Sequence, residues 1–102
     1  MAGTVDLGGV DEVPPGKMKK FVVQGKNGLV ANVDGKFYAI GSVCTHVGGP
    51  LERGRLEGAV VTCPWHGSKF DVTSGKVIGG PAMNPEPAYR LRVEGKRILL
   101  EM

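Results

Sequence analysis

The sequence contains few of the features that mark disulfide-stabilised, helical or membrane-spanning proteins. Only two of its 102 residues are cysteine, two are histidine, and aromatic residues make up 6%. No apolar run approaches the ~18 residues of a transmembrane helix, and no segment keeps a helical apolar period over three turns. Two cysteines in so short a chain are more often metal ligands or thiols than a structural disulfide. These absences argue against a membrane protein, a helical bundle and a disulfide scaffold.

The N-terminus and the charge add further expectations. Residues 1–6 have neither the basic start nor the apolar stretch of a secretory signal, so we expect a soluble, cytoplasmic protein. Basic residues exceed acidic ones by 13 − 10 = 3 and are interleaved with apolar residues, so we expect no nucleic-acid binding. Over residues 41–80 there are four basic and three acidic residues, or +1. Electrostatics alone are therefore not expected to select a partner.

Glycine and proline are abundant, at 17 and 7 residues, which favours a chain that turns often. Apolar alternation predicts hairpin-like strands over 17–40 and 88–101. The dipeptides Asn27-Gly28 and Asp34-Gly35 are typical of hairpin turns. The sequence predicts one all-β domain over 1–102, in which an antiparallel β-sandwich base carries a smaller lobe of short strands and Gly/Pro-rich loops at about 41–87.

All the cysteine and histidine residues fall in two short windows. One is Cys-Thr-His at 44–46 and the other is Cys-Pro-Trp-His at 63–66, with sixteen residues between them. Thiolate and imidazole are the best protein ligands for borderline and soft metals. Loops rich in glycine and proline allow two hairpin tips to close on one site. The predicted ligands are Cys44, His46, Cys63 and His66.

Three other interpretations of these four residues deserve comparison. A disulfide between Cys44 and Cys63 leaves both histidines without a role. A catalytic Cys–His pair needs only one residue of each type. A structural zinc site suits the ligand set, although zinc fingers usually pair Cys with Cys and His with His. A zinc-stabilised or iron–sulfur-sensing module without an electron-transfer role therefore remains the main alternative.

The two windows resemble the cluster loops of Rieske-type [2Fe–2S] proteins. Residues 44–51 are similar to the first loop of that family and residues 63–71 to the second. Residues 80–82, Gly-Pro-Ala, are similar to the family's proline loop, which covers the cluster from a third side. The resemblance extends from about residue 4 to residue 101 and implies a Rieske-like fold.

The resemblance also implies a cofactor and a role. Cys44 and Cys63 would hold one iron, and His46 and His66 the other, in one [2Fe–2S] cluster per chain. Because both histidines are then used, no mononuclear iron site for oxygenase chemistry remains, and the chain is not expected to be an enzyme. The implied role is a monomeric ferredoxin that carries single electrons from a reductase to an acceptor such as an oxygenase.

Departures from the respiratory members of the family place the sequence in the soluble, oxygenase-type branch. Gly49 and Trp65 stand where the respiratory proteins have two disulfide-linked cysteines, and Phe70 stands where they have a tyrosine that hydrogen-bonds a ligand sulfur. Fewer donors to sulfur imply a midpoint potential in the lower part of the Rieske range of roughly −150 to +300 mV. The residues expected around the cluster are Ser68, as a donor to a bridging sulfide, Trp65, Gly67 and Pro81.

Overall fold

The computed structural model describes residues 3–45, 48–65, 67–80 and 82–101. Within these ranges the chain is all-β, which confirms the predicted class, and no helix there is long and apolar enough to cross a membrane. Two short 3-10 turns lie at Val10–Glu12 and Leu51–Arg53. The strands are β1 Thr4–Gly9, β2 Met18–Val23, β3 Lys26–Val33, β4 Lys36–Gly41, β5 Arg55–Glu57, β6 Val60–Thr62, β7 Lys69–Asp71, β8 Val77–Gly79, β9 Ala88–Glu94 and β10 Arg97–Glu101.

The base is a six-stranded antiparallel sheet in the order β1-β10-β9-β4-β3-β2. Its two halves are joined by a short ladder in which Ala39 and Ile40 of β4 pair with Tyr89 and Ala88 of β9. The ring of Phe21 in β2 nevertheless contacts that of Tyr89, with centroids 5.9 Å apart. The halves therefore fold over each other, as predicted for a sandwich. Their shared core contains Val13, Phe21, Val30, Ala39, Ile98 and Leu100.

The two predicted hairpin turns have different outcomes. Asp34 and Gly35 form the turn between β3 and β4, with φ of 52° and 91°. The prediction of a turn at Asn27-Gly28 is wrong. The chain reverses at residues 24–25, and residues 27 and 28 lie in β3. Gly28 is needed there for packing, since a β-carbon at this position would overlap the ring of Phe21.

A second, four-stranded sheet in the order β5-β6-β7-β8 forms the lobe. The chain leaves the base after β4 and returns at β9. The N–H of Gly41 donates to the carbonyl of Pro87 at 2.9 Å, so the entry and exit of the lobe lie side by side. The segment between β4 and β9 is therefore an insertion between two neighbouring strands of the base.

Strand β3 holds the two parts together because both of its faces are buried. Val30 belongs to the core of the base, whereas its neighbours Leu29 and Ala31 face the lobe. Alternate side chains of a strand point to opposite faces, so one strand serves two cores. The second core contains Leu29, Ala31, Ile40, Cys44, Leu51, Val61, Cys63, Phe70, Val72 and Ala82.

Candidate metal centre

The first cysteine lies at the start of the loop that follows β4. The N–H of Cys44 donates to the carbonyl of Gly49 at 2.8 Å, and its own carbonyl accepts from the N–H of Gly48 at 2.8 Å. Gly48 has φ of +80°, a conformation that favours glycine. A hydrogen bond of 2.8 Å from the N–H of Leu51 to the carbonyl of Ser42 closes the loop.

The second cysteine occupies the same position in a similar loop between β6 and β7. The N–H of Cys63 donates to the carbonyl of Ser68 at 2.7 Å, and its carbonyl accepts from the N–H of Gly67 at 3.1 Å. Gly67 has φ of +78°. In both loops the cysteine therefore bonds to the residues four and five positions later, and a glycine at the fourth position permits the turn.

The two loops touch at Gly49. A β-carbon added there would lie 2.7 Å from Sγ of Cys63 and 3.1 Å from Cδ2 of Trp65. Trp65 is 56% exposed, and its ring lies against Gly49, which is buried. The contact between these residues occupies the place where the resemblance located the disulfide of respiratory proteins. Cys44 and Cys63 are not joined by a disulfide either, which is consistent with the oxygenase-type branch.

The segment after β8 contacts both loops. The fully buried Ser68 accepts a hydrogen bond at its Oγ from the N–H of Ala82 at 3.1 Å. Gly80 has φ of +88°, and a β-carbon there would lie 2.5 Å from Cα of Ser68. The hydroxyl of Thr45 donates to the carbonyl of Asn84 at 2.6 Å. A third segment therefore fixes the positions of the two cysteine loops.

The structure describes two of the four predicted ligands. Cys44 and Cys63 are each 2% exposed and lie in the same apolar core. His46, His66 and Pro81 lie outside the described residues. Among the rest, no group of three or more His, Cys, Asp and Glu could hold a metal ion. Two buried sulfurs without a disulfide fit the cysteine half of a Rieske ligand set, and the full set remains a prediction.

Glu86 is a residue near this centre that the sequence did not indicate. It is 4% exposed, and burial raises the pKa of its carboxyl to about 7. A hydrogen bond from the backbone N–H of Thr45 offsets only part of this increase in pKa. Among the described residues, Oε2 of Glu86 has no hydrogen-bond partner. Its position between Pro85 and Pro87 is typical of an exposed loop, so no pattern in the sequence predicted its burial.

The fold and the site together define a class of protein. Two equivalent loops on an all-β base each hold a buried cysteine, and a histidine follows each cysteine within three residues. The loops touch each other and share one core. This arrangement of two cysteine- and histidine-bearing loops is typical of a small metalloprotein.

Comparison with known families identifies the metalloprotein. The model of the Rieske [2Fe-2S] domain matches residues 3–93, and the chain belongs to this family. A Rieske domain carries one [2Fe–2S] cluster and transfers electrons, as expected from the resemblance. The zinc alternative is therefore set aside.

Similar proteins include ferredoxins of oxygenase systems. The chain is 41% identical over 93 residues to the biphenyl dioxygenase ferredoxin subunit of Pseudomonas sp. (strain KKS102), covering 90% of this chain and 85% of the relative. The ferredoxin of carbazole 1,9a-dioxygenase from Nocardioides aromaticivorans IC177 superposes with a TM-score of 0.92 at 30% identity, covering 95% of each chain. A ferredoxin in complex with the oxygenase of carbazole 1,9a-dioxygenase superposes with a TM-score of 0.91 at 26% identity, covering 95% of this chain and 91% of the other. These three relatives are ferredoxins, that is, electron carriers and not enzymes.

Proposed function

We propose that this chain is the ferredoxin component of a multicomponent oxygenase system. It takes one electron from a reductase and passes it to an oxygenase in the cytoplasm. The observation that carries the proposal is the match to a dioxygenase ferredoxin subunit at 41% identity over 85% of that relative. Because the match covers most of a protein that is itself a ferredoxin, it supports a carrier role for the whole of residues 1–102 as one domain.

The proposed ligands are the four residues of the two windows. Cys44 and Cys63 bind one iron, and His46 and His66 bind the other. When bound, the cluster supplies a site that accepts and returns a single electron. The two buried cysteines keep their sulfurs out of water, and the matched backbone hydrogen bonds hold each loop in place.

Other residues adjust the environment of the sulfurs. The Oγ of Ser68 accepts from Ala82, so its own proton is available for donation to a bridging sulfide, which stabilises the reduced state. Trp65 and Gly67 shape the second loop, and Pro81 is proposed to cover the centre beside Ala82. Phe70 is fully buried but offers no hydroxyl, which keeps the expected midpoint potential low.

Reconstitution tests the function directly. The holoprotein should contain two iron atoms and two sulfides per chain and, when reduced, give the EPR signal of a Rieske cluster. Added to the reductase and oxygenase of a biphenyl dioxygenase system, it should support product formation from NADH. A holoprotein that contains the cluster but does not raise product formation above that of the reductase and oxygenase alone would contradict the proposal.

A matched pair of variants separates ligation from loop structure. Cys44→Ser should lose the cluster and the electron transfer together. Thr45→Ser keeps the hydroxyl that donates to Asn84 and should keep both. A Cys44→Ser protein that retains the Rieske signal would show that the ligand assignment is wrong, without affecting the family.

A further inference from the structure

A row of cations crosses the outer face of the lobe beside the second cysteine loop. Arg55 of β5 pairs with Thr62 of β6, which pairs with Lys69 of β7. Directly paired residues of antiparallel strands point to the same face. In the adjacent row Val61 and Phe70 are fully buried, whereas Arg55 and Lys69 are exposed, so the cationic row faces solvent.

This row lines a cleft of about 530 Å³. Arg53 adds a third cation to the lining, and Glu57 is the one carboxylate among its described residues. The short side chain of Thr62 lies between two long cationic ones, which makes the surface concave. The cleft extends to Cys63 and Pro64 and therefore borders the proposed cluster site.

The three cations have no partner among the described residues, since Arg53, Arg55 and Lys69 form no ion pair or side-chain hydrogen bond with them. In the base, by contrast, Lys19, Arg92 and Arg97 each have a carboxylate partner. Neighbouring like charges that lack counterions create a positive potential that attracts external anions.

The acidic residues of the lobe cancel this potential only in part, because three cations and one carboxylate are among the described residues that line the cleft. Glu57 and Asp71 both pair with Val60, two rows further from the cysteine loop than Thr62 and on the same face of the sheet. The charges are thus sorted into a basic row beside Cys63 and an acidic row behind it. The sum of +1 over residues 41–80 does not show this separation.

We propose that the cleft lined by Arg53, Arg55 and Lys69 is the docking surface for an electron-accepting protein whose own docking face carries carboxylates. This inference rests on the proposed electron-transfer function and adds the location and the charge of the partner's surface. Guanidinium groups bind carboxylates through two parallel hydrogen bonds. A partner seated in the cleft lies beside Cys63, where an electron has a short path to it.

Electron transfer to two haem proteins of opposite charge tests the inference. The reduced holoprotein is mixed in a stopped-flow instrument with acidic cytochrome b5 or with basic cytochrome c, at low and high ionic strength. We expect the rate of cytochrome b5 reduction to be higher at low ionic strength than at high ionic strength, because salt screens the attraction between the opposite charges. The Arg55→Glu/Lys69→Glu variant should slow this reaction about tenfold or more and accelerate that of cytochrome c.

A control variant makes the same change in net charge far from the cleft. Lys36 and Lys96 are exposed residues at the hairpin ends of β4 and β9, away from the lobe. The Lys36→Glu/Lys96→Glu variant should change both rates much less. A shift in midpoint potential would move the two cytochrome rates in the same direction, so opposite changes identify docking.

The possible results separate the two proposals. Equal effects of the cleft and control variants on cytochrome b5 would overturn the docking surface, as would equal salt dependence with both cytochromes. Failure of the wild-type protein to reduce either cytochrome would instead contradict the electron-transfer function. The visible spectrum of each variant establishes that the cluster and fold are retained.

Discussion

Replacing Glu86 with glutamine should stabilise the protein at alkaline pH and have little effect at acidic pH. Burial at 4% exposure raises the pKa of this carboxyl from 4.5 to about 7. Below the unfolded-state value, Glu86 is protonated in both the folded and the unfolded state, so it does not oppose folding. As the pH rises through 4.5 to about 7, the unfolded chain releases this proton and the folded chain retains it, so stability falls.

The size of the effect follows from the shift. At about 1.36 kcal/mol for each pH unit, the full loss above about pH 7 is on the order of 3 kcal/mol. Between about pH 5.5 and pH 8.5, the free energy of unfolding of the wild type falls by about 2 kcal/mol because of Glu86. In a domain of this size, that loss corresponds to a fall of about 10 °C in Tm. Glutamine is neutral at every pH and removes this dependence.

The assay compares thermal unfolding of the oxidised holoproteins across this pH range at one heating rate. The Tm advantage of Glu86→Gln should grow steadily as pH rises. Glu101→Gln, at an exposed strand position, should show no such trend. An infrared band of a protonated carboxylic acid at about pH 6 should be present in the wild type and absent from Glu86→Gln. A Tm difference that stays flat with pH, or the absence of this band, would refute the reasoning.

Three further changes probe the centre itself. Gly80→Ala should strongly lower the iron content per chain, because the new β-carbon would lie 2.5 Å from Cα of Ser68. Gly79→Ala is its control, because a β-carbon there would have no atom within 4 Å. Ser68→Ala should lower the midpoint potential in a redox titration by about 40 mV, which corresponds to one hydrogen bond of about 1 kcal/mol; an unchanged potential would exclude donation to a sulfide. Gly49→Ala would place a methyl group 2.7 Å from Sγ of Cys63, and unaltered iron content and EPR spectrum there would contradict the described contact of the loops.

Local patterns were sufficient to predict the fold class and to single out the two cysteines that the structure buries in one core. Alternating apolar residues define β9 and β10, and the Asp34-Gly35 turn has the positive φ values that its sequence favours. The cysteine windows were informative because few other residue types bind soft metals. Each of these signals lies within a few consecutive residues, so it can be read without knowledge of distant contacts.

Features that depend on distant contacts could not be predicted. The strand β1 pairs with β10 from the other end of the chain, and residues 27–28 form strand instead of turn because Phe21 packs over Gly28. Glu86 lies in a proline-rich loop that folds under the first cysteine loop. The basic row became visible only when strand pairing placed Arg55 and Lys69 on either side of Thr62. A linear sum of charge contains no information about such neighbours.

Because the lobe begins and ends at neighbouring positions of the base, it is suited to replacement as a unit. Gly41 and Pro87 are hydrogen-bonded neighbours, so the intervening chain could be exchanged between homologues, or replaced by a tight hairpin, without changing the path of β4 or β9. The constraint on such grafts is the outer face of the base, where Leu29, Ala31 and Ile40 need an apolar cover. A new redox module inserted here must therefore supply apolar side chains that pack against these three residues, whatever metal it carries.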